Sequence, residues 1–190
     1  KVWYEKVVAI QENSFSYDIK PIRNEELDWI NKNNIVPNED HELEIQVNID
    51  KFLNTVIKKI SPKNILLFDY GYEQANREKR KYNSLLRTYK NHHLSVDPIE
   101  DPGNIDITYD VNFSSLSREL KTLGYGVTLK LQRNFLLENG FDIIFDELQE
   151  KYLVAEGMEK LKINSELNGL KAIVDLNGLG GFYCLNAQKL

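Results

Sequence analysis

The stretch Ile65-Leu66-Leu67-Phe68-Asp69-Tyr70-Gly71-Tyr72 decides the fold. Its first four residues form an unbroken apolar run of strand length, which is typical of a strand that is buried on both faces of a parallel sheet covered by helices. The run stops at a carboxylate and a glycine. The carboxyl end of a buried strand is where open α/β sheets bind their ligands. The stretch therefore predicts an α/β domain with a ligand site at this strand end.

The residues on either side of this strand carry further strand and helix patterns. Alternating apolar residues predict a β-hairpin over residues 1–20 that turns at 11–14. Strands are also predicted at 127–131 and 182–185, and helices at 25–31, 45–60, 115–123, 135–137, 142–163 and 166–176. With so few core strands, the chain is either half of a larger fold or a protein that dimerises to cover an exposed sheet edge.

The composition excludes several classes of protein. The chain has 24 Lys and Arg against 29 Asp and Glu, a net charge of -5, and a general nucleic-acid binder usually carries a basic face instead. Cys184 is the single cysteine, which excludes an intramolecular disulfide and a cysteine-cluster zinc site. No apolar run approaches the ~20 residues of a membrane helix. The sequence starts at Lys1 and not at Met, so we expect it to begin inside a longer reading frame.

Four sequence blocks resemble the MidA-like methyltransferases. ILLFDYGY at 65–72 resembles that family's apolar strand followed by DYG, and LLRTY at 85–89 with His92 resembles its TLR-x-Y…H segment. The run that starts at Asp97-Pro98 and continues as DPGNIDITYDVNF at 101–113 resembles PG-x-x-D-[IL]-T-x-x-V-[DN]-F. QRNFLLENG at 132–140 resembles Q-x-x-FL-x-x-x-G. The blocks follow the order of the family.

The resemblance implies the carboxyl-terminal half of a class I, Rossmann-like α/β methyltransferase sheet with an inserted β-hairpin and several helices. Residues 1–22 would be the hairpin insertion and residues 23–190 the carboxyl-terminal portion of the methyltransferase domain. Residues 64–69, 125–131 and 182–188 would be the fifth, sixth and seventh strands, with an antiparallel last pair. The implied cofactor is S-adenosyl-L-methionine. The sequence lacks the Gly-rich loop after a first strand that binds it, so the first half of the fold would not be in this chain.

The same resemblance implies a function and partners. The mitochondrial branch of the family methylates a protein arginine during assembly of a respiratory complex, so a protein substrate, such as a respiratory-complex subunit, is expected. We expect no nucleic-acid or membrane partner, a cytoplasmic location (mitochondrial if the source is eukaryotic), and a homodimer as one open arrangement. The alternative function is a non-catalytic interaction or assembly-factor module that retains only the second half of the fold.

Three residues are candidates for catalysis. A guanidinium acceptor needs neighbouring carboxylates, which Asp69 and Asp106 would supply. His92 would accept a proton, since the ordinary pKa of histidine lies near neutrality. Each has a structural alternative: Asp69 as the cap of the following turn, His92 as a loop residue bonded to a backbone carbonyl, and Asp106 as part of the segment that starts the next helix. Asp110 is assigned to that structural role, because it or Asn112 would lie near the amino end of the helix, where anions are favoured. No set of residues has convincing metal-ligand spacing.

Four further residues are candidates for binding the substrate. Arg87 lies in a polar and aromatic cluster, and Thr108 alternates with two carboxylates along one face of an extended segment. Gln132 opens a helix after a strand, and its amide would bind either substrate or a loop backbone. Tyr70 would line a pocket, although aromatic residues next to a buried strand more often serve packing.

Overall fold

A computed structural model describes residues 2–35, 42, 44–79, 85–91, 93–94 and 97–190. The strands are β1 (Tyr4–Gln11), β2 (Ser14–Pro21), β3 (Asn64–Asp69), β4 (Gly71–Tyr72), β5 (Leu86–Lys90), β6 (His93–Leu94), β7 (Asp106–Tyr109), β8 (Val111–Asn112), β9 (Tyr125–Leu131) and β10 (Tyr183–Lys189). The helices are α1 (Asn24–Lys32), α2 (Ile49–Ile60), α3 (Phe113–Thr122), α4 (Gln132–Glu138), α5 (Phe141–Val154) and α6 (Gly157–Val174), with short 3-10 turns at Gln74–Lys79 and Leu179–Gly181.

The chain forms two compact units. The first comprises Lys1–Phe52 and Ala75–Asp110, and the second comprises Leu53–Gln74 and Val111–Leu190. The division falls inside α2. The hairpin is part of the first unit, and the predicted domain boundary at residue 22 stays a prediction.

The predicted hairpin is confirmed as the antiparallel pair β1–β2. Gln11 pairs with Ser14, so the connection is the two residues Glu12 and Asn13, whose φ angles are 47° and 67°. Positive φ at both central residues is the geometry of the tight turn whose twist matches that of the strands. The two-residue turn therefore fixes the register of the hairpin.

The remaining sheet of the first unit has the order β6-β5-β7, with both pairs antiparallel. Helix α1 buries Trp29 and Ile30 as predicted. Helix α2 begins at Ile49, four residues later than predicted. The preceding segment is held in another way, because the Glu44 carboxylate accepts a hydrogen bond from the backbone N–H of Leu85 at 3.0 Å.

The sheet of the second unit confirms the three predicted strands and the antiparallel last pair. β10 lies between β3 and β9 and is antiparallel to both. The fifth and sixth strands of the class I sheet are thus parallel to each other, with the seventh inserted antiparallel between them. The core of this unit includes Phe113, Leu120 and Leu185, each at most 1% exposed.

The prediction that β3 is buried on both faces is wrong for this chain. Ile65 is buried, but Leu66, Leu67 and Phe68 are 49%, 39% and 41% exposed. Among the described residues β3 pairs only with β10, so it lies at the edge of the sheet. An edge strand lacks a neighbour on one side, and its apolar side chains are correspondingly less covered.

The boundary between the last two helices also differs from the prediction. The sequence predicted a break near residues 164–165, whereas α5 ends at Val154 and α6 starts at Gly157. Ala155 and Glu156 have extended backbone, and Gly157 has a φ of 55°. Ala155 packs in a cluster with Ile163 and Leu167, so tertiary packing fixed the break.

Candidate functional site

Two predicted clusters meet on one face of the β5–β7 pair. Arg87 lies directly opposite Thr108, and Tyr89 lies directly opposite Asp106. Residues two apart in a strand point to the same side, and directly opposed residues have Cβ atoms only ~5 Å apart. Arg87, Tyr89, Asp106 and Thr108 therefore form one face, which we call the β5–β7 polar face.

A buried ion pair anchors this face. Nη2 of Arg87 lies 2.5 Å from Oδ1 of Asp110, and their side chains are only 10% and 9% exposed. Burial by itself would lower the pKa of Arg87, but the hydrogen bond and charge of Asp110, together with Tyr89, hold it above its usual value. Removing one partner of such a pair costs about 3–5 kcal/mol because a buried charge is left uncompensated.

This ion pair changes how two predicted residues are interpreted. Asp110 binds Arg87, and the cap of helix α3 is Asn112, whose side chain accepts a hydrogen bond from the N–H of Ser115 at 3.1 Å. Of the two residues predicted at the amino end of the helix, Asn112 is the cap, and Asp110 forms the ion pair instead. Arg87 is held inside the unit, so it orders the strands around it.

The exposed part of the polar face carries a carboxylate, an aromatic ring and a hydroxyl. Asp106 is exposed, whereas Tyr89 and Thr108 are half-buried. Thr108 Oγ1 donates a hydrogen bond to the carbonyl of Arg87 at 3.3 Å, which fixes its rotamer. His92, the third predicted catalytic residue, lies outside the described residues.

In the second unit, Asp69 and Tyr70 form the turn between β3 and β4. Asp69 Oδ1 accepts a hydrogen bond from the N–H of the next residue, Tyr70, at 2.8 Å, so the carboxylate bonds to the backbone of the turn. The Tyr70 ring packs edge-to-face on Phe182 at 5.5 Å, and its carbonyl accepts from the N–H of Val111. These contacts agree with the structural alternatives for both residues, and their proposed roles at the acceptor stay predictions.

The glycine of the DYG motif is required by packing. A Cβ at Gly71 would lie 2.2 Å from the carbonyl oxygen of Val111 and within 2.9 Å of the Phe113 ring. Gly71 pairs in parallel with Val111 through the short β4–β8 ladder. Only a residue without a side chain allows the two strands to approach this closely.

Gln132 binds backbone in the second unit. Its side-chain Nε2 donates to the carbonyl of Ile173 at 2.8 Å, and its backbone N–H donates to the carbonyl of Phe182 at 2.7 Å. Of the two open alternatives, the contact to backbone is the one present, although Ile173 lies in the last turn of α6 and not in a loop. Asp69, Tyr70 and Gln132 thus belong to the second unit, while Arg87, Asp106 and Thr108 belong to the first.

Sequence reasoning missed a cleft of about 730 Å³ in the second unit. Its lining residues come mainly from α3 and β9: Glu73, Ser114, Ser117, Arg118, Lys121, Thr122, Val127 and Leu129. The polar residues of α3 recur three to four positions apart, so they share one face of the helix. That spacing is the signal that would have indicated the cleft.

The glycines near the carboxyl end serve chain packing. A Cβ at Gly180 would lie 2.3 Å from the backbone carbon of Val174, and one at Gly181 would lie 2.4 Å from the carbonyl oxygen of Leu176. They precede β10, whereas a nucleotide cradle follows a strand and opens a helix. Gly180 and Gly181 therefore do not have the position of a nucleotide cradle.

Two structural features are absent from the described ranges. Within them, no group of three or more His, Cys, Asp or Glu side chains is arranged to hold a metal ion. None of the helices in the same ranges combines the length and apolar character needed to cross a membrane.

Residues 1–129 match the family model described as "Putative S-adenosyl-L-methionine-dependent methyltransferase". No curated protein matches the chain.

Two solved structures from Burkholderia thailandensis are similar to the chain. The first is "a COG1565 superfamily member and likely methyl transferase" bound to S-adenosyl-homocysteine, with 23% identity and a TM-score of 0.80 over 100% of this chain and 48% of that one. The second is an uncharacterized protein of the same superfamily, with 20% identity and a TM-score of 0.77 over 99% of this chain and 49% of that one. The likeness shows a shared fold, and the chain spans about half the length of either structure.

Proposed function

Because the chain belongs to the family of S-adenosyl-L-methionine-dependent methyltransferases, we propose that it carries the acceptor-binding half of such an enzyme, with a protein arginine side chain as the acceptor. The observation that supports this proposal is the β5–β7 polar face. There Asp106 presents a carboxylate to solvent opposite the ring of Tyr89, over a strand pair that the Arg87–Asp110 ion pair makes rigid.

The chemistry of the face suits a guanidinium acceptor. A carboxylate binds both N–H groups of one edge of a guanidinium, which fixes its plane. An aromatic ring stabilises the same cation through its π face. In this proposal Asp106 orients the acceptor and Tyr89 packs on it, while Asp110 stays occupied by Arg87. Thr108 keeps the backbone of the two strands in register.

Bound S-adenosyl-L-methionine supplies the methyl group in enzymes of this family. The contribution of this chain is orientation, because methyl transfer depends on placing the acceptor nitrogen in line with the transferred group. The roles of Asp69, Tyr70, Gln132 and His92 in catalysis and substrate binding stay proposals. The whole enzyme would act on a protein such as a respiratory-complex subunit, in the cytoplasm or in mitochondria.

Peptide binding to this chain tests the choice of acceptor. We expect a peptide with one arginine to shift the amide NMR signals of Tyr89, Asp106 and Thr108, and the same peptide with lysine to bind at least ~10-fold more weakly, because an ammonium lacks the planar two-pronged geometry. Asp106→Asn should abolish the shifts. Asp18→Asn, at an exposed carboxylate of the hairpin, should leave them unchanged. Equal binding of the two peptides would contradict the proposal.

Calorimetry tests separately whether this chain binds S-adenosyl-L-methionine. We expect no tight binding of S-adenosyl-L-methionine to the 190-residue chain, since its sequence has no Gly-rich loop after a first strand. Tight binding would show that the cofactor site is built from residues of this chain.

The absence of a Gly-rich cofactor loop from the sequence also favours a second candidate function. In that case the chain is a non-catalytic interaction or assembly-factor module that keeps the second half of the fold. The gene separates the two functions. A G-x-G turn encoded after a strand upstream of Lys1 supports the enzyme, whereas translation that starts close to Lys1 supports the module.

A further inference from the structure

One face of the hairpin is apolar and exposed. The register pairs Ile10 with Phe15, Val8 with Tyr17 and Lys6 with Ile19, so these side chains lie on a single face, together with Tyr4 and Pro21. Its large apolar members are 47–74% exposed: Tyr4, Val8, Ile10, Phe15 and Ile19. We call these eight residues the hairpin apolar face.

The burial of the two hairpin faces is the reverse of the usual pattern. Glu5, Val7 and Ala9, on the opposite face, are half-buried, while Val8 and Ile10 are exposed. Half-covered antiparallel strands normally turn their apolar side to the core and their polar side to water. A large contiguous apolar patch that is left exposed marks an interaction surface, and an isolated hairpin is only marginally stable in water.

The charge of this face restricts what it can bind. Lys6 is its one charged side chain, and its Nζ lies 3.0 Å from Oε1 of Glu42 and 4.2 Å from the centre of the Tyr17 ring. The Tyr17 hydroxyl in turn donates to Asp97 at 2.5 Å. The face therefore offers no uncompensated charge to select a charged partner, and two copies placed face to face would not bring uncompensated like charges together.

The size of the face fits a dimer interface. The exposed parts of its five large apolar residues add up to roughly 600 Å², which approaches the ~800 Å² that each partner buries in an interface of standard size. We propose that the hairpin apolar face binds the same face of a second copy of this chain, related by a two-fold axis. In such an arrangement a residue near the axis meets its own counterpart.

Sedimentation equilibrium of the chain tests the interface. We expect a dimer at micromolar concentration, and Ile10→Asp should raise the dimer dissociation constant at least ~100-fold, because the contact would bury an unpaired carboxylate. Lys20→Glu, on the opposite face, should leave the dimer unchanged. A monomeric wild-type chain, or a dimer that Ile10→Asp leaves intact, would overturn the proposal.

Disulfide cross-linking tests the same interface without depending on Ile10→Asp, which could lose its fold. Val8 is central in the face, so Val8→Cys should form an intermolecular disulfide under mild oxidation, whereas Asp18→Cys on the reverse face should not. The native thiol does not interfere, because Cys184 is 1% exposed. Disulfides formed equally fast by both variants, or by neither, would also overturn the proposal.

Discussion

Strand β10 and the hairpin carry similar apolar residues, but those of β10 are buried and those of the hairpin are exposed. Cys184 and Leu185 point to opposite faces of β10, and both are at most 1% exposed. In the hairpin, Ile10 is 74% exposed. β10 has a neighbour on each side, whereas β1 and β2 have only each other among the described residues. The comparison shows that an apolar pattern sets which residues can be buried, while neighbouring strands decide which of them are.

The largest expected effect comes from truncating the two apolar positions in parallel. Leu185→Ala should lower the free energy of unfolding by about 2–5 kcal/mol, since it leaves a cavity in a packed core. At protein concentrations too low for the proposed dimer to form, Ile10→Ala should change the free energy of unfolding by less than about 0.5 kcal/mol, as expected for an exposed position. Urea unfolding followed by circular dichroism measures both. Equal losses would show that the hairpin face is covered within the chain.

The sequence predicted the hairpin and the three strands of the main sheet, because local alternation and the family blocks carry that information. It failed where distant contacts decide. The start of α2 depends on the bond between Glu44 and the N–H of Leu85, and the coverage of β3 depends on a missing neighbour. Within the candidate site, alternation placed Asp106 and Thr108 on one face. Only the register of β5 on β7 brought Arg87 to them.

A medium effect is expected at a glycine, and it sharpens the contrast between close-packed and open positions. Gly71→Ala should lower the free energy of unfolding by about 1–3 kcal/mol, because the new methyl group would overlap the carbonyl of Val111. Gly169→Ala is the matched control, since a Cβ there meets nothing within 4 Å and the position lies inside α6. Gly169→Ala should raise the free energy of unfolding by about 0.5–1 kcal/mol, because alanine favours a helix interior more than glycine does. Thermal unfolding of the two variants should therefore shift in opposite directions.

The smallest effect tests how the hairpin is held within its own unit. Burial, followed by the hydrogen bond to Asp97 and the charges of Asp97 and Glu42, raises the pKa of Tyr17 from 10.0 to about 12. The folded state thus keeps the phenol proton at a pH where the unfolded chain loses it. The stabilisation by Tyr17 should be complete below pH 10 and disappear as the pH rises towards 12. Tyr17→Phe should cost about 1 kcal/mol at pH 8, the usual value of one hydrogen bond, and nothing near pH 12.

Tyr4→Phe, at a 60% exposed tyrosine of the same hairpin, is the control that should show no such dependence. If the difference between wild type and Tyr17→Phe stays constant from pH 8 to 12, the bond to Asp97 does not hold the hairpin, and its position in the first unit must depend on the half-buried face around Val7.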